Sequence, residues 1–384
     1  MDRIKLVKDT IDTNDINLLI EWLKTNPILT KNKLTIEFEE KFSKYQDRKY
    51  SVYLNSGSSA NLAMIYTLLL SDKLKNKNII VPAVSWTTTV TPIIQFGLNP
   101  ILCECDKETL GLNIDDLKLL VEQYKPSVIM LVHVLGFPNK MKEIQEICEQ
   151  NDIILLEDSC ESIGSTYNGI KTGSFGLMSS FSFYFGHHMS TIEGGMVCTD
   201  DYNLYSILKS IRAHGWDRDL DEPFKSKLKE GFENDDFKDL YTFYYPGFNL
   251  RATDLQAFIG IQQMDKIEKN VILRQLNYNL YQGLIQNNYW KIKDFDNTYI
   301  SNFAYPIIHP NAKKIARELD KGGVDCRPLV CGSIGSQPYW IKLYGKQSFE
   351  FADQVDKFGL YVPNNPDLSV SDIIYICKII NDNL

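Results

Sequence analysis

No stretch of this chain approaches the run of about 18 apolar residues that a membrane-crossing helix requires, and the opening Met1-Asp2-Arg3-Ile4-Lys5 lacks the apolar core of a secretory signal. Positive charge is scarce too: 41 Lys and Arg stand against 49 Asp and Glu, a net charge of −8. Nucleic-acid binding through a basic face is thereby disfavoured. A small anionic ligand is not, because local arginines and helix N-termini hold phosphate whatever the total charge. The eight cysteines are scattered, some inside apolar runs such as Met196-Val197-Cys198, as expected of reduced, mostly buried thiols in a cytoplasmic protein. Cys103-Glu104-Cys105 has no second cysteine pair or histidine cluster beside it, so no metal site is expected. Internal repeats and low-complexity tracts are lacking as well.

What is present reads as an ordinary globular chain of 384 residues, long enough to favour two unequal domains, placed at 1–245 and 246–384. From about residue 50 to 200, short apolar runs alternate with helix-like segments, the pattern of an α/β domain with a mainly parallel sheet. Strands are expected at Tyr50–Leu54, Asn78–Pro82, Ser127–Val134, Ile153–Leu156, Ser180–Phe185 and Gly195–Thr199. Asp115–Gln123 and Lys142–Gln150 have helical spacing. The polar stretch Asp217–Lys238 reads as a long loop. Beyond Pro246 the pattern becomes α+β, with helices around Leu255–Glu268 and a strand at Phe303–Ile308.

Ligands of such sheets sit beyond the carboxyl ends of the strands. There the sequence places Ser56-Gly57-Ser58-Ser59-Ala60, small residues opening a helix with an apolar face of Leu62, Ile65, Tyr66 and Leu69. This suits an anion, although an ordinary serine cap has the same appearance. Trp86 could stack on a flat cofactor or simply pack in the core. Glu157 and Asp158 directly follow a buried strand, where two carboxylates are costly unless paired or used. A carboxylate facing a pyridine nitrogen would keep that ring protonated.

The segment Phe181-Ser182-Phe183-Tyr184-Phe185-Gly186-His187-His188, followed by Glu193-Gly194-Gly195, is the most specific element. It resembles the pyridoxal-phosphate site of the DegT/StrS-type sugar aminotransferases, a branch of the fold type I transferases. In that pattern a serine lies five residues before the Schiff-base lysine, and Glu-Gly-Gly begins six residues after it. Both offsets place His187 at the lysine position. Gly247-Phe248-Asn249-Leu250-Arg251 and Cys326-Arg327-Pro328 resemble two further motifs of the family, so the likeness spans nearly the whole chain. The resemblance implies a large domain with a mostly parallel sheet flanked by helices, plus a smaller C-terminal α+β domain. It also implies cofactor contacts from Gly57, Ser58, Trp86, Asp158, Glu161, Ser182 and Asn249. Substrate contacts would come from His214, Arg218, Arg251 and Arg327.

The departure from the family matters most. A transaminase needs its lysine to hold the cofactor and to move a proton between carbons. Histidine cannot do the first but can do the second. Lys171, the nearest upstream lysine, lies on the far side of the expected Ser180–Phe185 strand and does not substitute. His-His at this place resembles the sugar 3-dehydratases, so the resemblance implies removal of the C3 hydroxyl from a GDP-linked 4-keto-6-deoxy sugar. Pyridoxal or pyridoxamine phosphate would be the cofactor and L-glutamate the co-substrate. An iron–sulfur branch also uses histidine but needs several cysteines after the motif. Between Cys198 and Cys326 this chain has none, so no cluster is expected. His187 is the expected catalytic base, and His188 is left open between a site role and packing. His133 and His309 are read as structural. Sites shared between subunits would make the protein a homodimer, with Asn249 and Arg251 acting across the interface. The competing readings are a 4-aminotransferase, which the missing lysine argues against, and a non-catalytic binding homologue, which need not have kept Asp158, Ser182 and Glu193 together.

Overall fold

The computed structural model describes residues 3–232, 236–293, 295 and 297–384, so residues 233–235 of the expected Asp217–Lys238 loop lie outside the described residues. Its centre is a seven-stranded sheet of β1 (Tyr50–Leu54), β2 (Asn78–Pro82), β3 (Asn99–Cys103), β4 (Val128–Val132), β5 (Ile154–Asp158), β6 (Met178–Ser182) and β7 (Gly195–Thr199). The order is β1-β7-β6-β5-β4-β2-β3. All neighbours are parallel except β7, which runs antiparallel to β1 and β6. Helices cover both faces, and β4 is buried at every position, as its unbroken Val-Ile-Met-Leu-Val run anticipates.

Several expectations are corrected. β3 was not anticipated: its Pro100 argues against a strand, yet β3 is the sheet edge, where proline is tolerated. β4 stops at Val132, and a short 3-10 turn at Val134–Gly136 follows. β5 runs to Asp158, so Glu157 and Asp158 lie within the strand rather than after it. β6 ends at Ser182 rather than Phe185. The aromatic run Phe183-Tyr184-Phe185 has strand-forming composition, but Tyr184 and Phe185 peel away to line a cavity. Helix Gly57–Leu70 buries Ala60, Asn61, Met64, Ile65 and Leu68, whereas Leu69, expected on its inner face, is exposed. The Asp217–Lys238 stretch is not all loop: Asp221 caps a helix at Glu222–Lys229 by accepting from the Phe224 N–H at 3.3 Å.

In the C-terminal part, β8 (Tyr305–Ile308), β9 (Arg327–Pro328) and β10 (Gly359–Val362) form an antiparallel sheet in the order β8-β10-β9. β8 begins after Phe303, whose N–H instead donates to the Leu135 carbonyl at 2.9 Å. One continuous apolar core joins the central sheet (Val52, Met130) to this part (Ile315, Leu360, Ile376).

Candidate active site

The carboxyl ends of β1, β2, β5 and β6 and the amino end of β7 converge on a cavity of about 490 Å³, closed from the C-terminal part by Phe303, Val330 and Tyr361. Gly57, Ser58, Trp86, Asp158, Glu161, Ser182 and His187, seven of the expected site residues, all line it.

Each is positioned by its element. Ser56 caps helix Gly57–Leu70, accepting from the Ser59 N–H at 3.0 Å. The first N–H groups of that helix, including those of Gly57 and Ser58, have no acceptor within it, and these two residues line the cavity. Nothing larger than glycine fits the turn: a Cβ on Gly57 would lie 2.6 Å from Ser182 Cβ, and one on Gly195 would lie 2.2 Å from the Ser56 carbonyl. Trp86 is not a core residue; it precedes helix Thr87–Gln95 and is 53% exposed, its ring free to cover a flat ligand.

Strand alternation separates the two carboxylates of β5. Asp158 turns toward the cavity. Its Oδ2 accepts from Asn61 Nδ2 and Thr89 Oγ1, both at 2.7 Å, and its Oδ1 accepts from the Cys160 N–H at 3.1 Å. Glu157 turns the other way and is wholly buried, accepting from the N–H groups of Gly173, Phe175 and Gly176 at 2.6–2.7 Å and meeting His133 Nε2 at 3.0 Å. Glu161 accepts from the Leu135 N–H at 2.7 Å. Burial pushes its carboxyl up to about 7, and nearby Asp158 acts in the same direction.

His187 follows Gly186, whose φ of +95° belongs to glycine and where a Cβ would meet Val7 at 2.7 Å. The His187 ring packs against Phe303, centroids 5.0 Å apart. Its Nδ1 lies 2.7 Å from the Cys160 carbonyl, which can only accept, so Nδ1 carries the proton and Nε2 is the basic nitrogen. Burial holds the ring down to about 4, neutral at physiological pH. His188 is not on the cavity wall: it is buried, with Nε2 donating to the Ser301 carbonyl at 2.9 Å. Lys171 lies on a short strand at Ile170–Lys171, bonded to the Tyr45 carbonyl and facing Asp47. No lysine lines the cavity among the described residues.

The remaining expected residues gather elsewhere. Arg251 and Arg218 line a second hollow of about 290 Å³ with Lys31, Lys209 and Trp216. Arg251 donates to Asn249 Oδ1 at 3.0 Å and approaches His214 Nε2 at 3.4 Å. His214 has a φ of +65°, uncommon for a residue with a side chain. Arg327 is exposed on β9, beside the Tyr361 that lines the cavity. Sequence reasoning missed Asn61, Thr89, Phe303 and Tyr361, which no local motif marks.

Residues 9–381 match the DegT/DnrJ/EryC1/StrS aminotransferase family. The chain belongs to that family. It is 36% identical over 381 residues to the GDP-4-keto-6-deoxy-D-mannose 3-dehydratase of Yersinia pseudotuberculosis, covering 96% of each chain. The structure of the Escherichia coli GDP-4-keto-6-deoxy-D-mannose-3-dehydratase with bound hydrated pyridoxal phosphate superimposes with a TM-score of 0.90 at 33% identity, covering 99% of this chain and 100% of that one. A GDP-4-keto-6-deoxymannose-3-dehydratase structure with a trapped pyridoxal phosphate–glutamate geminal diamine gives 0.89 at 32% identity, covering 98% and 100%. The fold is the aminotransferase-like α/β fold of the type I enzymes. Among the described residues no helix is long and apolar enough to cross a membrane, and no cluster of three metal-ligating side chains occurs.

Proposed function

We propose that this chain is a pyridoxal-phosphate- and glutamate-dependent 3-dehydratase of a GDP-linked 4-keto-6-deoxy sugar. One observation carries the reading: at the carboxyl edge of an aminotransferase sheet, among the residues expected to contact the cofactor, the position of the lysine holds a neutral histidine, and among the described residues no lysine lines the cavity. Full-length relatives with the same activity support it.

The residues present fit the cofactor. The Gly57 and Ser58 N–H groups would hold its phosphate, the Trp86 ring would cover its face, and Asp158 would hold its pyridine nitrogen protonated. When bound, pyridoxal phosphate supplies an electron sink for the carbon being deprotonated. Three donated hydrogen bonds fix the Asp158 carboxylate and leave a lone pair of Oδ1 free for the ring. His187 Nε2, at the cavity wall, would take up the proton lost beside the bound cofactor and give it to the C3 hydroxyl as that group leaves. The Cys160 carbonyl keeps the tautomer correct throughout by binding Nδ1–H. Without a lysine amine to capture the product, water releases the amino nitrogen as ammonia. The balance is glutamate plus keto-sugar giving 2-oxoglutarate, ammonia and a 3-deoxy keto-sugar.

In this reading the 1–245 body carries the cofactor and the smaller 246–384 body closes the cavity with Phe303, Val330 and Tyr361. The protein is a cytoplasmic homodimer, with Asn249 and Arg251 serving the partner's site and His214 and Arg218 contacting the substrate. Arg327 serves the sugar nucleotide, and the product is destined for capsule or O-antigen. Purified protein given pyridoxal phosphate, glutamate and GDP-4-keto-6-deoxymannose should release ammonia and 2-oxoglutarate in equal amounts. Sugar-dependent 2-oxoglutarate without ammonia would instead indicate transamination.

A further inference from the structure

Behind the candidate base lies a buried cation with no anionic partner among the described residues. Arg274, on helix Ile267–Leu284, is 1% exposed. Its Nη1 donates to the carbonyls of Asn364 at 2.6 Å, Phe303 at 2.8 Å and Asn302 at 3.4 Å, and its Nη2 to the carbonyl of His187 at 3.3 Å. Nε has no partner. Burial is the one influence on the guanidinium, lowering it to about 9, so it stays charged at neutral pH.

An apolar side chain of similar volume would fill this space without desolvating a charge. What the arginine adds is a rigid fork and a field. The fork joins the backbone of His187 to that of Phe303, the residue whose ring seats the His187 imidazole. The guanidinium itself lies 6.0 Å from the same ring. The titratable groups around His187 are Asp158, Glu161, Glu193, Tyr184 and Tyr361 on the cavity wall, Cys160 at its Nδ1, His188 next in the chain, and Arg274 behind. Asp158 favours the imidazolium; Arg274 opposes it.

The geometry points to Arg274 as a positioning residue that locks the His187 backbone against Phe303 and whose charge adds to burial in disfavouring the imidazolium. This rests on the reading of His187 as the base. It makes the helix Ile267–Leu284, which contributes nothing to the cavity wall, part of the proton-transfer apparatus.

The test is an NMR titration of the ring nitrogens in full-length protein labelled at histidine, with His187→Asn used to assign the signal. In the unsubstituted protein the His187 midpoint should fall well below the ordinary value of about 6.5. Arg274→Met should shift it upward. Arg274→Lys, which keeps charge but cannot span both carbonyls, should leave the midpoint nearly unmoved while lowering kcat. An unmoved midpoint in Arg274→Met overturns the proposal. If that variant does not fold, Arg274→Gln takes its place, and a wild-type midpoint at or above about 6.5 overturns the proposal without any variant. The titration reads His187 whether or not a sugar turns over. An inactive protein with a low, Arg274-dependent midpoint would therefore count against the dehydratase reading and not against this one.

Discussion

Glu157 and Asp158 are chemically alike and adjacent, yet replacing each by its amide should have opposite consequences. All of the partners of Glu157 are fixed: Phe175 and Gly176 N–H on Oε1, Gly173 N–H and His133 Nε2 on Oε2. In Glu157→Gln, an amide NH₂ in place of Oε1 strands the two backbone donors of Phe175 and Gly176. In place of Oε2 it strands Gly173 N–H and forces His133 to shift its proton to Nδ1, which must accept from the Asn139 N–H at 3.2 Å. Either orientation leaves two buried donors unsatisfied, at about 1–3 kcal/mol each, so the variant should lose roughly 2–6 kcal/mol. Asp158→Asn differs because its partners adapt. Asn61 can flip to accept, the hydroxyls of Thr89 and Ser180 can rotate, and Oδ1 still accepts from Cys160 N–H. Its stability should stay within about 1 kcal/mol of the parent while cofactor-dependent turnover collapses. Urea unfolding beside a turnover assay separates the two. A Glu157→Gln protein within about 1 kcal/mol of the parent would refute the assignment of the two carboxylates to opposite faces.

Three further outcomes are expected. Gly57→Ala forces a Cβ to 2.6 Å from Ser182 Cβ in the phosphate turn, so the purified variant should fold but lose pyridoxal-phosphate absorbance, and full retention would remove the cradle from the account. Glu161, raised to about 7, is protonated below that pH and ionised above it; turnover that needs its proton should therefore fall on the alkaline side with a midpoint near 7, and Glu161→Gln, locked in the neutral form, should flatten that limb. If sites are shared, mixing inactive His187→Asn and Arg251→Ala subunits under exchange should restore about a quarter of parental activity, because half the dimers are mixed and each carries one intact site. No recovery would place Arg251 on its own subunit's site.

Much of this site was legible in the sequence because it is written locally. The spacing from Ser182 to His187 to Glu193 survives as a linear pattern, and β1, β2 and β7 begin and end where their apolar runs do. Reading failed where tertiary context decides. Nothing local shows that Phe183-Tyr184-Phe185 leaves the sheet or that proline-bearing β3 forms its edge. Asn61 and Thr89, which hold Asp158, lie 97 and 69 residues from it. Arg274 reaches His187 across 87 residues from a helix whose own pattern speaks only of packing.

Histidine in place of lysine turns a transaminase site into one that removes oxygen and frees nitrogen. Turnover of GDP-4-keto-6-deoxymannose with [¹⁵N]glutamate, followed by mass spectrometry of the sugar nucleotide and of ammonia, tests it directly. The label should appear wholly in ammonia, with a product lighter by the C3 oxygen. Label retained on the sugar as a C4 amine, with the C3 oxygen in place, would contradict it.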